Sequence, residues 1–447
     1  MSVPLAVDNG DSTVDAGASL RRAARQPRLF IDPERWARGA INAYKVEQLP
    51  VGTTRELIDV FASDRALSFG LLHLPPGPVP TTVAVFMHPR ENQTRQYLTP
   101  YLLSAGYAVW GQTSRALHND TDMVHEEVLL DTAAGLRLLK ERGFEKIVLI
   151  GSSGGTSLLS YYQVQAALAP SERVREAPHG ASTGFAEEDM PAADFFVALA
   201  PHSGEGLIMR NMLDAAIVEE SNPVAIDPDL DMFNPANGYQ PFPEPSKYAP
   251  EWLAAYREHQ RARCRRIDVL ARSMLADYDD ARSAADPERL GSPMARRALI
   301  TPYMSVYGTV ANPAHLDPTI HPNHRSPGSI FSPGHPLRGS YGPTALGRVV
   351  TARAWLSTWS GLSARAEWAL AAEHLCVPSL VVLPLGDTDA YPDEQREIFD
   401  RIPTADKSFV MLDHAHHYLK LLPGSPVQYD PRERAGTIIT SWLGERI

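Results

Sequence analysis

The stretch Gly151-Ser152-Ser153-Gly154-Gly155 carries the clearest chemistry in this sequence. It follows the apolar run KIVLIG (146–151) and opens into TSLLSYYQVQAALA, which has the composition of a helix. G-x-S-x-G between a strand and a helix forces its middle residue into a strained turn, which small flanking residues relieve. Ser153 is then lifted above the C-terminal edge of a sheet with its hydroxyl accessible. The Gly154 amide, at the start of the following helix, faces the same space and favours negative charge developing there. Ser152 is the choice of a slipped register, one residue too early in the motif. A serine hydroxyl becomes a nucleophile only when a base takes its proton and an acid orients that base. Downstream, Asp387 and Asp389 in GDTDAYP (386–392) are candidate acids, and His414, His416 and His417 in DHAHHY (413–418) are candidate bases.

Such residues need a rigid sheet to hold them, and the chain supplies its rhythm. β-type segments begin at Tyr44 with YKVEQLPV, ELIDVFAS and ALSFGLLHLP. Then TVAVFMHP (82–89), YAVWGQTS (107–114), KIVLIG and FFVALAPH (195–202) alternate with helical stretches. Short runs that are apolar on both sides, separated by amphipathic helices, predict a mostly parallel sheet covered on both faces. The rhythm stops after His202 and resumes near Cys376 with VPSLVVLPLG, a helix PDEQREIFDRI, a strand SFVMLDH and a terminal helix. The expected organisation is a mobile tail over 1–26, an α/β core over 27–202 and 355–447, and a mainly helical and irregular insertion over 203–354. The insertion contains one long amphipathic helix from Pro250 to about Tyr278, with Tyr256, Cys264, Ile267, Leu270, Met274 and Tyr278 on its apolar face. Arg261, Arg263, Arg265 and Arg266 on that helix read as a solvated face paired with nearby acids. Residues 302–343 hold eight prolines and read as an ordered irregular loop.

Together these features resemble the α/β-hydrolase superfamily over about residues 44–202 and 355–447, and the resemblance implies further assignments. The large insertion falls after the sixth core strand, where this fold carries its cap. GDTDAYP is similar to the family's G-x-x-D followed by proline, which maps the orienting acid to Asp389, with Asp387 as the competing reading. Some relatives place the acid after the earlier strand, which nominates Glu205. DHAHHY is similar to the family's histidine-aromatic ending and places the base at His417, with His414 and His416 competing. The chain order Ser, Asp, His is the one expected of this fold. One oxyanion donor is the Gly154 amide. The second belongs in the loop Met87-His88-Pro89-Arg90-Glu91-Asn92, where relatives usually have His-Gly; Pro89 has no amide hydrogen, so the donor falls to Arg90 or its neighbour. The Arg90 guanidinium is also a candidate to hold a substrate carboxylate or carbonyl at the pocket mouth. His88 and His202 are expected to line the substrate pocket. His414, His416 and His417, like His321, His324 and His335, lack the carboxylate-rich partner motif of a metal centre, so no metal is expected.

Composition excludes other classes. Lys+Arg is 42 against Asp+Glu 53, a net charge of −11, which argues against nucleic acid and anionic membranes as partners. Cys264 and Cys376 are the only cysteines and form no disulfide or redox motif. With neither a signal-peptide pattern nor an apolar run of membrane-spanning length, a cytoplasmic enzyme is expected. The resulting expectation is a cofactor-free serine hydrolase cleaving a carboxylic ester or lactone. Trp252, Tyr256, Phe233, Tyr239, Phe242, Tyr303 and Tyr307 suggest a fairly apolar small-molecule substrate, unless they form the insertion's own core. A C–C bond hydrolase, an amidase or peptidase on the same triad, and a non-catalytic binding protein remain as alternatives, and a homo-oligomer stays open.

Overall fold

The structure, a computed structural model, describes residues 43–447 except 242, 286–290, 329–335 and 343–344. The tail expected over 1–26, with Phe242 and His335, lies outside the described residues. Eight strands form the central sheet: β1 (Thr54–Phe61), β2 (Leu67–Leu74), β3 (Thr82–Met87), β4 (Ala108–Gln112), β5 (Lys146–Ser152), β6 (Phe195–Leu199), β9 (Ser379–Pro384) and β10 (Lys407–Leu412). Their spatial order is β1-β2-β4-β3-β5-β6-β9-β10. β2 runs antiparallel to its neighbours and all other pairings are parallel. The segment YKVEQLPV departs from expectation. It coils into a 3-10 turn over Val46–Gln48, because Gln48 Oε1 accepts the Lys45 amide (2.7 Å) and offers the backbone a local alternative to a strand.

All six residues of β3 are buried, as a strand covered on both faces requires. Val83, Val85 and Met87 point to one layer, where α2 (His125–Glu141) and α3 (Gly154–Ala167) pack. Ala84 and Phe86 point to the other, which α1 (Thr99–Ser104) and α7 (Pro431–Gly444) cover with Leu102, Leu103, Ile439 and Leu443. Between them in the chain come α4 (Glu205–Met212), α5 (Pro250–Ala284) and α6 (Pro392–Arg401). β5 lies inside the sheet between β3 and β6, so its C-terminal end opens at the middle of the sheet edge. This is the α/β-hydrolase fold.

The insertion is joined to the core by shared packing. Cys264, Ile267 and Ala271 of α5 lie in the same apolar cluster as Val85, Leu158 and Trp355. Leu270, expected on that face, is instead 41% exposed. Trp355 is wholly buried, and its indole N–H donates to Asp268 Oδ1 on α5 (2.7 Å). The four arginines expected on a solvated face of α5 are paired with acids, Arg261 and Arg265 with Glu258 and Arg263 and Arg266 with Glu220, but Arg263 is buried rather than solvated. Tyr256, Tyr248 and Met232 form a second cluster with Trp252, Tyr239 and Phe233 packed on it, so these aromatics form the insertion's own core. Expected to be irregular throughout, the proline-rich stretch contains among its described residues a short strand, β7 (Tyr303–Ser305), paired antiparallel with β8 (Val349–Thr351), and a short helix over Pro336–Tyr341. Among the described residues no helix is long and apolar enough to cross a membrane.

Removing the Trp355 side chain creates a cavity where the two parts meet and leaves Asp268 short of a donor. Trp355→Ala should cost about 3–5 kcal/mol, the range for large aromatic truncations, measured by urea denaturation.

Candidate active site

The turn after β5 has the geometry its sequence demands. Ser153 sits at φ +57°, ψ −126°, outside the regions open to most residues. Two close approaches explain its glycines. A Cβ on Gly151 would lie 2.4 Å from Thr156 Cα, and one on Gly155 2.4 Å from the Met87 carbonyl oxygen. The Ser153 amide donates to Leu199 O (3.0 Å), which ties the turn to β6. Ser152 is the last residue of β5, in register with Leu199, and it is Ser153 that meets the base. Ser153 Oγ lies 2.8 Å from His417 Nε2.

On the far side of the imidazole, Nδ1 lies 2.6 Å from Asp387 Oδ2. The structure therefore places Asp387 at the position expected for Asp389, and the reason is local. Asp387 Oδ1 accepts the amides of Asp389 (3.0 Å) and Ala390 (3.3 Å), which turns Oδ2 toward the histidine. Asp389 turns the other way and pairs with buried His315 of the insertion (3.0 Å). Further contacts from the insertion fix the acid loop: Asn323 Nδ2 donates to Asp387 O (2.7 Å) and the His324 amide to Leu385 O (2.7 Å). The acid and base loops also meet directly, Gly386 N donating to Ala415 O (2.7 Å). Asn323 and His315 are partners that no local motif announces.

The other histidines of DHAHHY are engaged elsewhere. His416 Nδ1 accepts the Tyr418 amide (3.0 Å), and the His414 ring stacks on His324 with centroids 4.0 Å apart. His324, Asp413 and His414 each offer a ligand atom within 4.8 Å of the others, at a surface-exposed corner apart from Ser153. There His324 Nδ1 already accepts the His414 amide.

The loop after β3 corrects the expected oxyanion donor. The amides of Arg90 (3.2 Å) and Glu91 (3.1 Å) both point at His88 Nδ1, so the Arg90 N–H is engaged inside its own turn. Its guanidinium pairs with Asp120 (3.4 Å) and, loosely, with Glu205 (3.6 Å). Glu205 opens α4, and the carboxylate against His417 Nδ1 is that of Asp387 rather than Glu205. With the His88 and His202 rings it surrounds Gly154: a Cβ there would lie 2.5 Å from Glu205 Oε1 and 3.0 Å from each Nε2. His202 Nδ1 accepts the Gly204 amide (3.1 Å).

Burial sorts the charges. It drives His88 well below its usual range, reinforced by the Arg90 charge, and takes His202 and His125 down to about 3. These imidazoles are neutral at neutral pH. With Nδ1 of His88 and His202 accepting backbone N–H groups, the proton of each ring sits on Nε2. His417 differs. Burial opposes its charge, but the charge and hydrogen bond of Asp387 prevail, and its pKa is raised above the usual 6.5. Burial also raises Glu205, against the pull of Arg90.

No protein-family model and no curated protein matches the chain. Solved structures with a similar chain course include DcsB in complex with its substrate analogue, at 12% identity and TM-score 0.46, covering 88% of this chain and 99% of that one. The esterase domain of a Rhodothermus marinus protein is similar at 12% identity and TM-score 0.41, over 88% and 99% of the two chains. The α/β hydrolase GrgF from Penicillium sp. sh18 is similar at 12% identity and TM-score 0.44, over 88% and 97%. At this identity, and with TM-scores below 0.5, the likeness says nothing of what this chain does.

The charge distribution around His417 fixes the sign of a pH effect. A base must be neutral to accept the Ser153 proton, so activity should rise with pH through a single ionisation whose midpoint lies above 6.5. Asp387→Asn should lower kcat by about 10⁴ and move the midpoint down, because the carboxylate that favours the imidazolium is gone. Asp389→Asn should instead lower thermal stability and move the midpoint down by less than Asp387→Asn does, because its charge favours the imidazolium only from a distance.

Proposed function

We propose that this protein is a serine hydrolase that cleaves a carboxylic ester or lactone through an acyl-enzyme on Ser153. The observation that carries the reading is the unbroken chain Ser153 Oγ–His417 Nε2 (2.8 Å) and His417 Nδ1–Asp387 Oδ2 (2.6 Å) at a strained strand-to-helix turn. His417 takes the hydroxyl proton as Ser153 Oγ attacks the carbonyl carbon, then returns it to the departing alkoxide oxygen. Asp387 holds the Nδ1–H and stabilises the imidazolium that forms between these steps. In the second half, His417 deprotonates a water that attacks the acyl carbon, and the proton passes back to Ser153.

The tetrahedral oxyanion is held by two donors. One is the Gly154 amide at the N-terminus of α3, where the helix dipole adds to the hydrogen bond. The other is His88 Nε2–H, presented by a loop whose own amides fix the tautomer. A neutral imidazole on a rigid loop replaces the backbone donor that Pro89 removes and Arg90 directs elsewhere.

Ser153→Ala should fold normally and lower the hydrolysis of p-nitrophenyl acetate by about 10⁴ or more, and a fluorophosphonate probe should label Ser153 in the parent protein and nothing in the variant. Labelling at Ser152, or none in folded protein, would sink the reading. His88→Leu should lower kcat by 10²–10³-fold, the usual cost of one oxyanion donor, with KM nearly unchanged.

A further inference from the structure

β1 is an outermost strand of the sheet, and among the described residues no strand pairs with its free side. Which residues face that side follows from the hairpin. The Thr113 amide donates to Phe69 O (2.8 Å), so the odd-numbered residues of β2 turn their backbone groups toward β4. The even-numbered ones therefore bond to β1, in line with the Ala62 amide, which donates to Ala66 O (2.9 Å) just beyond the paired residues. The N–H and C=O groups of Arg55, Leu57, Asp59 and Phe61 are left pointing out of the sheet edge. Their side chains share one face, on which Leu57 is 66% and Phe61 63% exposed, with Leu67 and Phe69 of β2 exposed beside them. Outer strands are usually blunted by shortness, lysine, proline or a bulge. The eight residues of β1 contain neither lysine nor proline and pair with β2 without a bulge.

The charges on that face select a partner. Arg55 and Asp59 flank Leu57 on the exposed face, and neither has an ion pair or a side-chain hydrogen bond with a described residue. Glu56, on the opposite face, is already paired with Arg142 (2.9 Å). We propose that this chain forms a symmetric dimer in which β1 pairs antiparallel with β1 of a second copy, Leu57 at the two-fold axis, so that two eight-stranded sheets become one. Only residues whose backbone groups point outward can meet as hydrogen-bonded pairs, so an odd-numbered residue must face an odd-numbered one. With Leu57 opposite its own copy, Arg55 falls opposite Asp59 and Asp59 opposite Arg55. This register forms two opposite-charge pairs and about six backbone hydrogen bonds from residues 55, 57 and 59. Centring the pairing on residue 55 or 59 opposes like charges, and centring it on 56 or 58 sets Arg55 or Asp59 against Leu57. A strand of another protein would have to carry an acid and a base at the same spacing. This strand carries both, in the order that complements itself.

Sedimentation of the full-length protein over about 1–200 μM, a range suited to a small interface, should show a monomer–dimer equilibrium. Arg55→Asp sets acid against acid at both pairs, and Asp59→Arg sets base against base. Each variant alone should raise the dissociation constant by about tenfold or more, with circular dichroism showing that it is folded. Mixed in equal amounts, the two variants should dimerise as the parent does, because every facing pair is then of opposite charge. If either variant fails to fold, hydrogen exchange in the parent decides: the Leu57 and Asp59 amides should slow by about tenfold between monomeric and dimeric concentrations. A parent that stays monomeric throughout would overturn the proposal. So would a dimer that both single variants form as readily as the parent, or a mixture that associates no better than its components. Protection of the Leu57 amide at every dilution would assign the edge to another segment of the same chain and overturn it as well.

Discussion

A carboxylate with no exposed surface, Asp387, holds the imidazole of His417, and the surrounding loops are arranged around that contact. Taking both groups out of water is expensive unless every remaining lone pair finds a donor. Asp387 Oδ1 is satisfied by the Asp389 and Ala390 amides, and its loop is held from outside by Asn323 and His324 of the insertion. The base loop is tied to the same framework through Gly386 and Ala415. The insertion thus belongs to the electrostatic environment of the site as much as to its enclosure.

The histidines around Ser153 show how one fold keeps chemically identical groups in different states. His88, His125 and His202 are buried without a carboxylate in hydrogen-bonding contact, and desolvation makes them neutral. His417 is equally enclosed but faces Asp387, and its charged form is favoured. A positive charge is therefore favoured at His417 alone among these rings, while those of His88 and His202 stay neutral donors. Local backbone amides enforce this division, because they occupy Nδ1 of His88 and His202 and leave Nε2–H facing the site.

Much of this was legible in the sequence. The continuous apolar runs gave the sheet, since strands buried on both faces cannot alternate with polar residues. Ser153 followed from a glycine-flanked turn between strand and helix, and His417 from its place after the last strand. Asp387 was not recoverable by counting from Gly386, which points to Asp389 instead. The choice between two aspartates depends on His315, 74 residues upstream, which draws Asp389 away. Arg90 was misplaced as an oxyanion donor because nothing in a residue string records that its amide points at His88 Nδ1. Burial of the aromatic residues in the insertion's own cluster was equally invisible, since a stacked core and an apolar pocket have the same composition. YKVEQLPV read as a strand because its apolar spacing outweighed the short-range hydrogen bond of Gln48.

The contacts of Asn323 and His315 also bear on how this chain can be re-engineered. Here the inserted segment donates to the backbone of the acid residue itself and draws off its neighbouring aspartate. A foreign cassette joined at 203 and 354 would need an amide donor and an imidazole at the same two points. Without them Asp389 is left free to compete with Asp387 for the imidazole, and the exchange would alter the charge around His417 as well as the packing of the segment.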